Sequence, residues 1–241
     1  MKTTRRDFLW RLTIWLGSTF AGIEYLLDKT SCARKNVLEH RIYYELPEHV
    51  HIARTITDIE GFGEREKDGC GIIVDGKYLT MAHIILSNGK SILKYSSGQI
   101  PILLNVKRRK TSLYGKELIP IHVSDEEDVA VFELPYNLKL PDFPAKPSNS
   151  IRNGEEVYVI GNPYLEGHNI RKAYVSRLNV LGEDKLPNGC FSIGKPVISG
   201  DSGSPIVSSS FKLLGLADTE LDNSLGYVRK IDKFRKYSKR N

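Results

Sequence analysis

From residue 51 onward, short apolar runs alternate with clusters of Gly, Asn, Asp and Pro, and the runs have the length of strands rather than helices. Strands are expected at 52–59, 70–74, 78–81, 91–95, 100–106, 118–123 and 129–134. A second set follows at 157–160, 171–181, 190–193, 205–208, 213–217 and 225–228. Strands at this spacing, bounded by turn residues, predict antiparallel barrels or sandwiches. Between the two sets, Pro135, Pro141, Pro144 and Pro147 fall in a stretch without periodicity. Proline has no N–H to give a ladder, so this stretch reads as a linker. Only the C-terminus has helical spacing: Ile231, Phe234 and Tyr237 fall three apart with Lys and Arg between them, an amphipathic helix for the second unit. The expected organisation is a leader at 1–33, an extension at 34–50, a first β unit at 51–134, a linker at 135–149, a second β unit at 150–228 and a helical basic tail at 229–241.

The leader starts basic and continues into an apolar stretch at 12–27, broken by Glu24 and by Gly17 and Gly22, which is short and polar for a membrane span. Within it, Thr4-Arg5-Arg6-Asp7-Phe8-Leu9 resembles the twin-arginine export signal, which implies an exported, periplasmic or cell-envelope protein. Cleavage after Ala33, lipidation at Cys32 and an uncut segment that anchors the protein to a membrane are the alternatives, with Lys29 arguing against lipidation. The three cysteines, Cys32, Cys70 and Cys190, have neither zinc-site nor redox-pair spacing. Cys70 and Cys190 are read as either a bridge or two buried thiols.

With 40% hydrophobic and 27% charged residues, the 241-residue chain is not disordered, collagen-like or many-pass membrane in character, and it shows no internal repeat. Its formal charge of +6 falls to +4 once residues 1–33 are set aside, an ordinary surface rather than a nucleic-acid footprint. The densest basic run, Lys107-Arg108-Arg109-Lys110, lies between apolar segments and is expected to be a hairpin loop. His49 and His51 form an H-x-H pair without a companion cluster, and neither a phosphate loop nor a dinucleotide fingerprint is present. No metal or other cofactor is expected.

Three motifs carry chemistry. In the first, 69–83, a strand hairpin with an Asp75-Gly76 turn leads into Thr80-Met81-Ala82-His83, placing a histidine just beyond a strand end. The second is Asp128 at the head of the apolar 129–134, which alone reads as a turn aspartate. The third is Gly200-Asp201-Ser202-Gly203-Ser204-Pro205, where glycines flanking a serine permit backbone amides to converge on one point. A serine hydroxyl is a poor nucleophile at neutral pH. It needs a neutral imidazole to take its proton and a carboxylate to orient that imidazole, so the three motifs gain meaning together.

In the order His83, Asp128, Ser202, these motifs resemble the trypsin-like serine proteases over most of the chain after the leader. Val157-Tyr158-Val159-Ile160-Gly161-Asn162-Pro163 and Leu213-Leu214-Gly215-Leu216 are similar to segments of the bacterial high-temperature-requirement (HtrA-like) branch. The resemblance implies an all-β fold of two antiparallel six-stranded β-barrels with a C-terminal helix. It further implies a serine endopeptidase acting on polypeptide, with His83 as general base and acid, Asp128 as its orienting carboxylate and Ser202 as nucleophile. The N–H groups of Gly200 and Ser202 would form the oxyanion hole. Pro196, Val197 and Ile198 would floor the substrate pocket and Asp218, Thr219 and Glu220 would wall it, an apolar site unless Glu220 draws a basic residue.

Ser204 departs from the family hexapeptide, a change expected to be tolerated. Asp201 lacks the new N-terminus that partners it in zymogen-type relatives, so an internal partner and no activating cut at Arg41/Ile42 are expected. With 39 residues after Ser202, no PDZ domain and no caged trimer are expected, and a monomer is. The competing reading is a silent trypsin-like fold that binds a peptide or an envelope protein without cleaving it. A third reading, a nucleic-acid or membrane-surface binder using 107–110 and 235–240, requires salt-dependent binding.

Overall fold

The computed structural model describes residues 35–238 apart from 62, 87–89, 96–97, 104–105, 163–166, 179–188, 195–196 and 223–224, with backbone only over 90–103 and 219–222. The expected leader, including Cys32, lies outside the described residues. Helix α1 covers residues 35–44, followed by a 3-10 turn at Leu46–His49. Then come β1 (His51–Ile59), β2 (Gly63–Val74), β3 (Lys77–Thr80), α2 (Ala82–Leu86), β4 (Lys90–Tyr95), β5 (Gly98–Leu103), β6 (Val106–Leu113), β7 (Lys116–Glu117), β8 (Ile119–Ser124) and β9 (Val129–Glu133). After the proline-bearing stretch come β10 (Lys146–Pro147), β11 (Glu156–Gly161), β12 (Asn169–Arg177), β13 (Cys190–Ile193), β14 (Pro205–Ser208), β15 (Lys212–Asp222), β16 (Leu225–Lys230) and α3 (Asp232–Ser238). Among the described residues, no helix is long and apolar enough to cross a membrane.

The all-β expectation and the C-terminal helix hold, but the two units close differently. The second is a closed barrel of six strands: β15, β14, β11, β12, β13 and β16 pair in that order, and β16 pairs back to β15. The first is, among the described residues, an open sheet in the order β7-β6-β1-β2-β3-β9-β8, with β4 and β5 forming a separate two-stranded ladder, and not the expected closed six-stranded barrel. A physical reason lies in β8, where Pro120 lacks a donor and the register shifts between Pro120 and His122. Beyond the short β6–β7 pairing, Leu118 N–H bonds Thr111 O at 2.9 Å, and among the described residues the β8 ladder is with β9.

The linker expectation needs a small amendment, since Lys146–Pro147 adds a parallel two-residue strand beside β15. The basic run 107–110 is also corrected. It lies within β6 rather than in a hairpin loop, facing the acids of neighbouring strands. Arg108 is opposite Asp58 of β1, and Lys110 Nζ lies 2.8 Å from Glu117 of β7. Cross-strand charge pairs let a polar sequence hold a strand, which an apolar-run search does not detect.

One core cluster runs across both sheets. Ile72, Leu79 and Val131 of the first share it with Tyr158, Ile160, Val207 and Leu216 of the second, and Phe234 of α3 joins them. A separate cluster built on Val157, Val159, Phe191, Ile206 and Val228 fills the second barrel. Cys70 and Cys190 are free thiols, both buried.

His51, at the head of β1, is only 4% exposed. Its Nδ1 lies 3.0 Å from Tyr114 Oη, and its carbonyl accepts from the Tyr78 hydroxyl at 3.2 Å. Burial, helped by the nearby His49 and His168, pushes its pKa down to about 4. The unfolded chain therefore binds a proton here that the folded chain refuses, between the ordinary histidine range and about pH 4. Stability should be lost as pH falls through that window, by on the order of 2 kcal/mol from this residue. Urea titrations from pH 7 to pH 4 should show a shallower loss for His51→Gln than for the native protein; equal slopes would exclude the effect.

Candidate active site

Strands β3 and β9 are antiparallel neighbours, with Thr80 opposite Ala130, so the end of one lies beside the start of the other. His83 follows the end of β3 in the short helix α2, and Asp128 immediately precedes β9. The turn that ends at Asp128 closes with Asp128 N–H to Asp125 O at 3.2 Å, and Asp128 has a φ of +49°. Aspartate is among the few non-glycine residues that take this left-handed conformation readily.

The geometry explains why the turn is held there. Asp128 Oδ1 accepts the His83 backbone N–H at 2.7 Å, and Oδ2 lies 2.8 Å from His83 Nδ1. An ionised carboxylate only accepts, so Nδ1 carries the hydrogen and Nε2 keeps its lone pair. Burial pushes the Asp128 carboxyl up, but the ring hydrogen bond, the imidazole charge and the backbone donor outweigh it and hold the group below its ordinary value. The other end of the His83 peptide is fixed as well, because Lys67 Nζ of β2 donates to its carbonyl at 3.0 Å.

Ser202 comes from the opposite sheet, in the loop before β14. Asp201 N–H bonds Ile198 O at 3.0 Å and Gly200 has a φ of +93°, the pattern of a type II turn, which favours glycine at its third position. Two staples hold the loop: Cys70 N–H to Ser202 O at 3.0 Å and Gly203 N–H to Ala217 O at 2.8 Å. Gly203 has a φ of +84°, and a Cβ there would stand 1.9 Å from Cys70 O, so only glycine fits beneath β2. Among the described residues, no backbone carbonyl accepts from the N–H groups of Gly200 and Ser202.

Asp201 points away from the cleft and is fully buried. One of its oxygens is paired with Arg171 of β12 and accepts the Ile198 N–H at 2.9 Å. Burial pushes this carboxyl above its ordinary value against the pull of Arg171 and the Ile198 N–H. The internal partner expected for Asp201 is therefore an arginine from the barrel wall. Ser204 is fully buried in the hexapeptide, and Ile42 is buried in the shared core.

His83, Asp128, Val197, Ile198, Ser199, Ser202 and Asp218 line one cleft of about 500 Å3 between the sheets. The Ser202 hydroxyl donates to the Asp218 carbonyl at 3.0 Å and, among the described residues, not to His83. Of the expected pocket residues, Pro196 lies outside the described residues, and Thr219 and Glu220 are described only as backbone of β15. Val197 is buried in the barrel core, Ile198 is half-buried, and the Asp218 carboxyl pairs with Arg229 Nη2 at 2.7 Å. One ring nitrogen of His83 and one carboxylate oxygen each of Asp128 and Asp218 lie within 4.8 Å of one another. The Asp128 carboxylate is engaged by the His83 ring and the Asp218 carboxylate by the Arg229 guanidinium.

Sequence reasoning passed over three cations: Lys67, Arg171 and Arg229. Arg171 was detectable, since it shares strand parity with the buried Ala173 and Val175 and so stands at an inward position. The other two become visible only through the groups they meet in the folded chain, the His83 carbonyl for Lys67 and the Asp218 carboxyl for Arg229.

Two β-sheets that bring a histidine–aspartate pair and a serine loop to one cleft are consistent with the chymotrypsin-like fold. Residues 69–216 match the trypsin-like peptidase domain, and the chain belongs to that family. Serine protease HTRA1 of Xenopus tropicalis is 26% identical over 175 residues, which cover 70% of this chain and 35% of that protein. Serine endoprotease DegS of Haemophilus influenzae is 25% identical over 167 residues, 66% of this chain and 44% of that one. The chain thus spans less than half the length of these relatives.

Removing Arg171 leaves Asp201 buried without its cation, so Arg171→Met should cost about 3 kcal/mol or more in urea unfolding. Arg171→Met combined with Asp201→Asn should recover part of that loss. A single variant as stable as the native protein would show that the pair does not support the serine loop.

Proposed function

We propose that the protein is a serine endopeptidase in which Ser202 is the nucleophile, His83 the general base and acid, and Asp128 the orienting carboxylate. The observation that carries this reading is the double grip of Asp128 on the His83 ring and backbone, in the cleft that Ser202 lines. In the proposed cycle, rotation of the Ser202 side chain frees its hydroxyl from Asp218 O and turns it to His83 Nε2. His83 takes the proton as Oγ bonds to the scissile carbonyl carbon, and the N–H groups of Gly200 and Ser202 receive the oxyanion. The imidazolium, paired with Asp128, then gives its proton to the leaving amine. Water, deprotonated by the same imidazole, splits the acyl-enzyme.

The buried Arg171–Asp201 pair supports a serine loop that needs no cut at Arg41/Ile42, because the partner a new N-terminus would supply is already present. Val197 and Ile198 in the cleft favour an aliphatic or aromatic side chain at the cleavage site. The two β units at 51–134 and 150–228 would each contribute one side of the site, and the leader at 1–33 would direct export to the cell envelope.

One observation favours the competing reading of a silent peptide-binding fold: the Ser202 hydroxyl is occupied by the Asp218 carbonyl. Intact-mass analysis after treatment with a fluorophosphonate separates the two. The enzyme reading expects a single adduct on Ser202, absent in Ser202→Ala and slowed by a factor on the order of a thousand or more in His83→Ala. It also expects casein turnover that Ser202→Ala abolishes. A folded native protein that takes no adduct and cleaves nothing would establish the binding reading instead.

A further inference from the structure

Behind the His83–Asp128 pair stands a second carboxyl that the reading above does not use. Asp218 is 2% exposed, at the point where β15 bulges between Ala217 and Glu220. Its neighbours follow from strand register. Arg229 of β16 is opposite Leu216, so by the two-residue period it shares a face with Asp218, and Cys190 of β13 is opposite Arg229 on its other flank. The Arg229 guanidinium is 1% exposed. Its Nη2 donates to Asp218 Oδ2 at 2.7 Å, while its Nε and Nη1 are buried and meet no acceptor among the described residues. A buried cation whose hydrogen-bonded counter-ion is one carboxyl holds that carboxyl firmly in place.

From this position Asp218 faces the triad. Its carboxyl, the Asp128 carboxyl and His83 form the tight cluster described above, so the two acids confront each other directly. Two carboxylates this close do not both ionise without cost, and a proton held by either one becomes a hydrogen bond to the other. The groups facing Asp218 are Asp128 at the head of β9, His83 in α2, Arg229 in β16 and the Cys190 thiol 3.9 Å away in β13. Lys67 of β2 adds a cation on the Asp128 side, and burial keeps the thiol neutral by pushing its pKa up to about 12.

The geometry points to Asp218 as a positioning residue for the His83–Asp128 pair: clamped by Arg229, it shares a proton with Asp128, so that His83 becomes a free base in two coupled steps rather than one. The inference rests on the reading of His83 as the base. The one-proton state has two forms, neutral His83 with a protonated Asp218, or imidazolium with an ionised Asp218. Only the first accepts the serine proton. Burial and the Asp128 charge, working against Arg229, bring the Asp218 pKa up to about 7, so that this carboxyl can hold or release a proton near neutral pH. An ionised Asp218 favours the imidazolium, so it raises the pH at which the base is released.

Two readouts test this. The first is the pH dependence of fluorophosphonate labelling of Ser202. The second is the nuclear magnetic resonance titration of the His83 ring in a Ser202→Ala background, which needs no reactive serine. Each is measured for the native cluster, for Asp218→Asn and for the double variant Asp218→Ser, Arg229→Met, which removes both buried charges and keeps a donor for Asp128. The expected result is a two-step His83 titration in the native cluster and a single step in both variants. The Asp218→Asn midpoint should lie lower by about one pH unit, and the labelling profile should move with it. The double variant guards against Asp218→Asn failing to fold around an unpaired Arg229. Native and variant titrations that superimpose, or a native titration with one step, would overturn the inference. Loss of labelling in the native protein with the two-step titration intact would overturn the endopeptidase reading and leave the coupling of Asp218 standing.

Discussion

A carboxylate removed from water must be given donors, and Asp128 finds two on a single residue: the backbone N–H and the ring nitrogen of His83. That double bond links two chain segments 45 residues apart, and much of the first sheet serves to bring them together. Strands β3 and β9 are antiparallel neighbours so that the end of one adjoins the start of the other, and the left-handed turn at Asp128 aims its side chain back across the gap. Lys67 completes the arrangement by fixing the other end of the His83 peptide. The histidine is thus oriented by its backbone as much as by its ring, and it lines the cleft.

The serine side is built on a different principle. It uses a tight turn whose glycines allow what no side chain could, a backbone pressed against Cys70 and two amide groups that meet no backbone acceptor among the described residues. Such a loop cannot be held by its own packing. It is stapled to β2 and β15 by backbone bonds, and from within the barrel by Arg171 and the buried Asp201. Each half of the cleft is therefore anchored by a buried acid in contact with a cation or an imidazole, with Arg229 serving Asp218 in the same way.

The strands of the second barrel were largely legible because their apolar runs are bounded by turn residues, and 190–193 and 205–208 fall where β13 and β14 lie. Where polar sequence forms strand, apolar pattern was blind. The start of β2 at 63–69 is mostly polar, and the basic 107–110 in β6 is held by charges on its neighbours. Helix α2 was missed because five residues are too few to show a helical period. Closure could not be read either, since whether β6 meets β8 depends on Pro120 and a register shift rather than on apolar content. His83, Asp128 and Ser202 stood out in the sequence because each lies in a recognisable motif, and the structure brings all three to the lining of one cleft. Lys67 and Arg229 did not stand out, because a lone cation has no local signature, and the inward parity of Arg171 gives no sign that Asp201 is its partner.

The apolar cluster shared by the two sheets has a consequence for how the molecule comes apart. Tyr158, Ile160 and Leu216 of one sheet lose their neighbours if Ile72, Leu79 and Val131 of the other are withdrawn, so neither sheet is a foldon that can open while its partner stays intact. His83 and Ser202 belong to different sheets but to one cooperative unit. Thermal fluctuation within the native basin can flex the cleft, but pulling its two sides apart demands the global opening that exposes the whole interior.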